Sequence, residues 1–336
     1  MMPWKGLSRL GAVKGISPRR PYAWSVTHML ADRLLRGLEE NGFQGRIVPV
    51  GRMSDLGKDI ASLREAGMID AALCDDYPQA FKFSLPEQMP DAKSVVVASR
   101  PQPKIIIHFT VDGEDVPAVV PPTYANALDV IDSAKAALER SARPGPGRFE
   151  RAALPLKTLA ARTGLVRYGR NNITYVPQHG SFHRLVAFFT DLELGIDDWQ
   201  ERQALPACRT CRKCLEACPA NVIAEDRFLI HAERCITWFN EMPSERPFPT
   251  GYGAGWHNAI VGCMICQDAC PYNKAVKGWS EEGERFSAAE TDYLLRGVFE
   301  GERAKAMQSK LDRCGLDLSS FPRNLRALLT ARTLLE

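Results

Sequence analysis

The chain lacks any long apolar run. No segment reaches the ~18 consecutive apolar residues that a membrane span needs. The first 35 residues, "MMPWKGLSRLGAVKGISPRRPYAWSVTHMLADRLL", break every apolar stretch with Lys5, Arg9, Lys14 or Asp32, so they do not read as a secretory signal. Arg19 and Arg20 form half of a twin-arginine signal, but His28, Asp32 and Arg33 stand where its apolar stretch would be. A soluble, cytoplasmic protein with no membrane partner is expected. An excess of one charge is missing too: 43 Lys and Arg against 40 Asp and Glu leave a formal net charge of +3, which is no argument for nucleic acid. There is no low-complexity tract and no internal repeat outside the cysteine clusters. A composition of 45% apolar and 25% charged residues is that of an ordinary globular protein, and 336 residues suffice for two domains.

Cysteine is the residue present in an unusual arrangement. Cys74 and Cys314 stand alone and read as small buried hydrophobes. The other eight, Cys208, Cys211, Cys214, Cys218, Cys235, Cys263, Cys266 and Cys270, fall within 63 positions. In a reducing compartment, clustered cysteines bind metal or do redox work more often than they crosslink.

"CRTCRKCLEACP" (208 to 219) reads C-x2-C-x2-C-x3-C-P, the spacing by which bacterial two-cluster ferredoxins hold [4Fe–4S] cubes. Three cysteines on a tight loop can reach three corners of one cube, and the fourth, at the start of a helix, ligates the other cube. Pro219 suits a first helical turn, where its missing N–H costs nothing. "CMICQDACP" (263 to 271) repeats the pattern one cysteine short, and Cys235 in "HAERCITWFN" is the natural substitute. The crossing rule then assigns Cys208, Cys211, Cys214 and Cys270 to one cluster and Cys218, Cys235, Cys263 and Cys266 to the other. Zinc is the competitor, since C-x2-C pairs also build tetrahedral sites, but zinc sites rarely use a third cysteine in such a run or two separate Cys-Pro endings. Two clusters imply one-electron traffic and an external donor of ferredoxin or flavodoxin type. A ferredoxin needs only ~60 to 80 residues, so the 200 or so residues ahead of the cysteines are expected to hold an acceptor, a substrate site or both.

That region reads as mixed α/β. "SVTHMLADRLLRGLEENGF" has helical periodicity and stops at Gly42. "GRIVPV" and "SVVVAS" read as strands, and "KIIIHFTVDGEDVPAVV" carries the Asp-Gly signature of a hairpin. "PPTYANALDVIDSAKAALERSA" reads as an amphipathic helix, "ARPGPG" as a loop and "PLKTLAARTGL" as a second helix bounded by Pro155 and Gly164.

The stretch "GLVRYGRNNITYVPQHGSFHRLVAFFTDLEL" (164 to 194), taken with the cysteine pattern, resembles the epoxyqueuosine reductase and reductive dehalogenase superfamily of cobalamin-dependent iron–sulfur enzymes. The matching residues are Gly164, Leu165, Gly169, Arg170 and Asn171 of a "GL-x-x-x-G-[KR]-N" element, Gly180 and Ser181 of a "G-S" turn, and Thr190, Asp191 and Leu192 of "TDL". "RCITWF" and "GCMICQDACPYN" resemble the spacer cysteine and second cysteine motif. Taken singly, the glycines read as turn residues, Arg170 and Asn171 as local capping or pairing groups, and His179 and His183 as surface or core histidines; the motif as a unit carries the resemblance, from about 155 to 275.

The resemblance implies an α+β fold: a nitroreductase-like α/β cobalamin and substrate domain (1–200), a bacterial two-cluster ferredoxin-like domain (201–280) and a short helical tail (281–336). It implies two [4Fe–4S] clusters and a base-off corrinoid driven to Co(I), which breaks C–O or C–halogen bonds while the protein binds, orients and supplies a proton. Gly169, Arg170, Asn171, Gly180 and Ser181 become candidate corrinoid contacts. Where epoxyqueuosine reductases have an aspartate in a "V-D-S" segment, this chain has "RFERAALPLKTLAARTG", with no aspartate, a shifted spacing and Glu150 nearby, whereas a dehalogenase-like tyrosine beside a basic residue could be Tyr168 next to Arg170, or Tyr124 or Tyr175. Full-length epoxyqueuosine reductases continue into a HEAT-like extension that grips transfer RNA. Here residues 281–336 resemble only its beginning and carry nine Lys/Arg against ten Asp/Glu, which weakens a tRNA substrate. A reductase of a small molecule or modified nucleoside is the first expectation. An electron-transfer protein that reduces a partner's corrinoid or flavin is the second, and epoxyqueuosine reduction on tRNA the third.

Overall fold

The computed structural model describes residues 26–71, 73, 83–145, 147–312 and 316–333. Arg19, Arg20, Cys74 and Cys314 lie outside them. The order is α1 (Val26–Glu40), β1 (Gln44–Pro49), α2 (Arg52–Glu65), β2 (Ser94–Pro101), β3 (Lys104–Val111), β4 (Glu114–Val120), α3 (Ala127–Ala142), β5 (Phe149–Arg151), α4 (Leu156–Arg162), β6 (Arg167–Tyr168), β7 (Thr174–Tyr175) and β8 (His183–Thr190). Then follow α5 (Lys213–Ala217), α6 (Ile236–Asn240), α7 (Ile265–Asp268), β9 (Ser280–Phe286), α8 (Ala288–Arg296), α9 (Gly301–Asp312) and α10 (Phe321–Thr333).

The run "SVVVAS" has no polar face, and its place in the fold explains why. β2 is a central strand of the antiparallel sheet β1-β2-β8-β5. Side chains alternate across a strand. Val95 and Val97 enter a core with Met53 and Leu56 of α2 and Leu159 and Ala160 of α4, while Val96 and Ala98 meet Leu34 and Leu38 of α1 and Val130 and Ala134 of α3. β8 alternates likewise, with Ala187 and Phe189 on the first face and Val186 and Phe188 on the second. Both faces are therefore apolar, and a one-residue slip of register would exchange the two cores.

The Asp-Gly signature forms its hairpin: Asp112 and Gly113 both have positive φ, 51° and 85°, and β3 pairs with β4 from Val111↔Glu114 onward. β9 adds to the other edge of β3, in parallel. Residues after 280 thus return to an element laid down near residue 105, and the three C-terminal helices cover it. Ile105, Ile107 and Phe109 share one core with Phe286, Leu294, Met307, Leu311, Phe321 and Leu325. Phe109 stacks on Phe286 at 5.0 Å and tilts against Phe321 at 5.7 Å. Each buried phenyl contributes roughly 1.5–3 kcal/mol, so this segment is held firmly to the hairpin. The chain adopts the expected α+β architecture. Among the described residues no helix is long and apolar enough to cross a membrane.

Candidate functional site

The cysteine-bearing loops of residues 205–279 contain only short helical pieces: α5, α6 and α7, of four or five residues, and 3-10 turns of three or four. Short elements let several thiols turn inward. Cys208, Cys211, Cys214 and Cys270 line one small cavity of about 70 Å³, together with Gly169, Asn171 and Tyr175. Cys218, Cys235, Cys263 and Cys266 line a second cavity of about 620 Å³. The structure thus gathers the eight thiols in two groups of four. Among the described residues no three His, Cys, Asp or Glu side chains are placed to hold a single metal ion. A lone zinc would draw four sulfurs to about 2.3 Å from one point, whereas a cube spreads its ligands.

Burial sets the electrostatics of both groups. Desolvation, and then Cys208, Cys270 and Cys211, push the Cys214 thiol up to about 11. Cys263 is likewise pushed up to about 11 by burial, with Cys235 and Cys218 adding to it. Cys266 is raised further by burial, Cys263 and Cys235. Ligation by iron ionises such thiols and releases their protons.

The hairpin β6–β7 reaches both groups with three consecutive residues. Gly169 lies against the Tyr175 ring, and a Cβ there would fall 2.5 Å from it and 2.6 Å from Asn171 Oδ1. Arg170 is buried and donates from Nε to the Cys211 carbonyl at 3.2 Å and from Nη2 to the Cys208 carbonyl. Asn171 donates from Nδ2 to the Tyr175 hydroxyl at 3.0 Å and points the same nitrogen at Cys266 Sγ, 3.6 Å away. Arg170 holds backbone of the first cysteine loop, and Asn171 touches both cavities.

The "G-S" turn clasps the second cysteine motif. Gly180 has φ +55°, and a Cβ there would meet Asn273 Oδ1 at 2.1 Å. Ser181 N–H donates to Asn273 Oδ1 at 2.9 Å, its hydroxyl donates to Gln267 Oε1 at 2.8 Å, and Asn273 Nδ2 donates back to Ser181 Oγ at 2.8 Å. Gly180 and Ser181 do not line the large cavity. From the other side, Asn258 Nδ2 points at Cys263 Sγ at 3.2 Å, a contact the sequence marked only by an asparagine five positions ahead of the cysteine.

The candidate proton donors separate. Tyr168 is buried in the core beside α4, with its hydroxyl 3.2 Å from Thr158 Oγ1 and its ring edge-on to Phe228. Burial pushes its phenol up to about 12, and it lines neither cavity. Glu150 is exposed on β5, paired with Phe189, and also lines neither. Tyr175 lies at the first group, its phenol raised by burial and by Cys270. Tyr124 lines the large cavity and donates to the Glu241 carboxylate.

Lys157, read in the sequence only as part of a helix, also stands in the large cavity. Its Nζ donates to the Asn172 carbonyl at 3.2 Å and lies 3.4 Å from Asn172 Oδ1. Its side chain is open to the cavity although protein surrounds it, and that desolvation lowers its pKa, with Glu241 opposing. The one sequence signal was a lysine in the first turn of the short helix "LKTLAAR".

Residues 207–273 match the family described as the 4Fe-4S double cluster binding domain. Over 123 residues the chain is 32% identical to an epoxyqueuosine reductase of Cyclobacterium marinum, covering 37% of this chain and 38% of that protein. Over 136 residues it is 30% identical to a tetrachloroethene reductive dehalogenase of Desulfitobacterium hafniense, covering 38% of this chain and 23% of that one. The chain therefore matches well under half the length of these relatives. In fold it is similar to an epoxyqueuosine reductase solved with an epoxyqueuosine-modified tRNA-Tyr stem loop, with TM-score 0.63, 17% identity, and 91% of this chain and 82% of that chain covered. The epoxyqueuosine reductase of Bacillus subtilis gives a TM-score of 0.61 at 17% identity over the same shares. The resemblance drawn from the motifs holds: the chain is similar to both branches of the superfamily.

Proposed function

We propose that the chain is a cobalamin-dependent iron–sulfur reductase. It takes electrons through two [4Fe–4S] clusters to a corrinoid for reductive cleavage of a C–O or C–halogen bond in a small molecule or modified nucleoside. The observation that carries this reading is the cavity of about 620 Å³ walled on one side by Cys218, Cys235, Cys263 and Cys266. Its size is that of a ligand pocket, and a simple electron carrier needs no such chamber. In this reading residues 1–200 provide the corrinoid and substrate part, 201–280 the clusters and 281–336 a helical tail. Cys208, Cys211, Cys214 and Cys270 hold one cluster and the cavity-side cysteines the other.

The cavity suits a large ring with a polar rim. Leu154, Leu156 and Ile173 give it apolar walls, while Asn172 Nδ2 and Arg184 Nε are buried there without a hydrogen-bond partner among the described residues. An orphaned buried donor is costly and marks where a ligand's acceptors fit. Bound and fully reduced, cobalamin supplies a strong nucleophile and reductant. The chain's own part is to exclude water, orient the substrate and provide a proton. Tyr124, held by Glu241, and Lys157, whose burial eases proton release, are candidate proton donors among the acids inside the cavity.

The test is anaerobic reconstitution with iron, sulfide and hydroxocobalamin, followed by electron paramagnetic resonance during stepwise reduction. About eight irons and one corrinoid per chain are expected, with a base-off cobalt(II) signal beside two cluster signals. Clusters with no affinity for corrinoid would overturn the enzyme reading in favour of an electron carrier. One observation favours a second reading, epoxyqueuosine reduction on tRNA: the fold follows, over 91% of this chain, a reductase solved with a tRNA stem loop. A deletion strain whose tRNA keeps its queuosine would remove that reading.

A further inference from the structure

The two cysteine groups have differently charged surroundings. The first group is lined by residues from three stretches which, with their flanks, span 164–172, 207–218 and 271–279. They carry seven Lys/Arg (Arg167, Arg170, Arg209, Arg212, Lys213, Lys274, Lys277) and one acid, Glu216. The whole chain is nearly balanced at 43 to 40. Around the second group, residues 219–235 carry Glu225, Asp226 and Glu233 against Arg227 and Arg234.

Some exposed arginines elsewhere are matched, as Arg148 is with Asp91 and Asp191, while others, such as Arg36 and Arg64, form no ion pair among the described residues. At the first group Arg170 is buried on loop carbonyls and Arg212 pairs with Glu216 and Glu225. Arg167, Arg209, Lys213 and Lys274 are exposed, and none forms an ion pair among the described residues. Each lies within two residues of one that lines the small cavity, and Tyr272, itself 42% exposed, lines that cavity and packs edge-on against Tyr175. Exposed unpaired cations flanking an exposed aromatic at a metal site suit a transient electrostatic encounter.

We propose that Arg167, Arg209, Lys213 and Lys274 form the docking surface for a small acidic one-electron carrier, which delivers its electron at the first cysteine group. The inference rests on the two-cluster part of the proposed function and is independent of the corrinoid. With an acidic flavodoxin as the carrier, one electron leaves the anionic flavin hydroquinone, giving the neutral semiquinone. The same electron reduces [4Fe–4S]2+ to [4Fe–4S]+, and no proton moves. Steering by such a patch raises association rates by 10-fold or more and fades as salt screens it.

The experiment is stopped-flow reduction of the reconstituted protein by photoreduced flavodoxin, read as cluster bleaching between 50 and 500 mM NaCl. Iron content and cluster resonance are measured on every sample. The double variant Lys213→Glu/Lys274→Glu is expected to keep its iron and lose at least about tenfold in bimolecular rate at low salt, converging on wild type at high salt. Lys58→Glu, on α2 and 74% exposed, is the control and is expected to change the rate by less than about twofold. A rate indifferent to salt and to the double reversal would overturn the proposal. So would equal losses in the double variant and the control. A shifted first-cluster potential with an unchanged rate would also overturn it, since the cations would then only offset cluster charge.

Discussion

The two cysteine groups are built from nearly the same motif, yet one adjoins a cavity of about 70 Å³ whose flanking sequence is rich in Lys and Arg and the other a cavity of about 620 Å³ walled by the N-terminal part. The difference lies outside the motifs. At the first group Arg170 satisfies the carbonyls of Cys208 and Cys211, so the loop is pinned through its backbone. At the second, Asn171 and Asn258 point donors at the sulfurs of Cys266 and Cys263 themselves. Donors to sulfur stabilise the added electron and raise a cluster's potential. In the proposed reading, the same set of thiols would serve two jobs, one beside the small cavity and one against the large chamber.

The harshest way to break this comparison is to remove one thiol from each group. Cys266→Ser is expected to abolish reductive turnover and leave about four irons per chain, because the inner group alone adjoins the cavity. Cys208→Ser should also leave about four irons but spare the inner resonance. Iron analysis with electron paramagnetic resonance decides, and loss of all iron from both variants would mean that the module folds as one unit. Next in size is Gly180→Ala. It forces a side chain into left-handed backbone and against Asn273 Oδ1, so the clasp holding the second motif should weaken by about 2–3 kcal/mol. Denaturant unfolding measures it, and a loss below about 0.5 kcal/mol would show that the turn yields.

Much of this was legible in the sequence, and what was not has a common cause. Helical period, the Asp112–Gly113 turn and the cysteine spacing are local, so α1, α3, α4, the β3–β4 hairpin and the two groups of four could be read directly. The parallel pairing of β9 with β3 joins residues some 175 apart, and no local signal marks it. Ser181 and Asn273 clasp across 92 positions, so a turn that resembles a corrinoid contact is found holding the iron–sulfur module. Lys157 and Tyr124 belong to an α-helix and a loop with ordinary patterns, and only the tertiary fold turns both into one cavity. Spacing discloses which residues belong together along the chain; it does not disclose which wall faces which chamber.

Of the two cavities only the larger borders a buried histidine, and that sets a pH signature. His183 is enclosed, with Nδ1 2.9 Å from Ser99 Oγ and Nε2 3.0 Å from the Thr174 carbonyl. Desolvation, with a smaller push from His179, lowers its pKa to about 4, while the Thr174 carbonyl opposes. An unfolded histidine titrates near 6.5. The unfolded chain therefore binds the proton first, and the stability present above pH 6.5 is lost as pH falls toward 4. The total is about 3 kcal/mol, of which about 2 kcal/mol should be gone by pH 5. Unfolding curves of wild type and His183→Gln at pH 7 and pH 5 check this: the variant should lose about 2 kcal/mol less than wild type, and parallel losses would refute it.

The smallest expected effect concerns a residue that belongs to neither cavity. Glu150 sits exposed on β5, across the edge of the first sheet, while the acids inside the large cavity are Tyr124, Lys157 and Glu241. A group that donates a proton must come within hydrogen-bond reach of the reacting atom, or reach it through one water. Tyr124→Phe should therefore lower turnover by about a hundredfold, in line with losing a positioned acid. Glu150→Gln should change turnover less than about twofold and stability by less than about 0.5 kcal/mol, as for a surface substitution. Turnover of both variants under matched corrinoid and iron loading decides between the walls. A tenfold loss in Glu150→Gln with an intact Tyr124→Phe would move the proton source to β5 and detach the chemistry from the chamber beside Cys266.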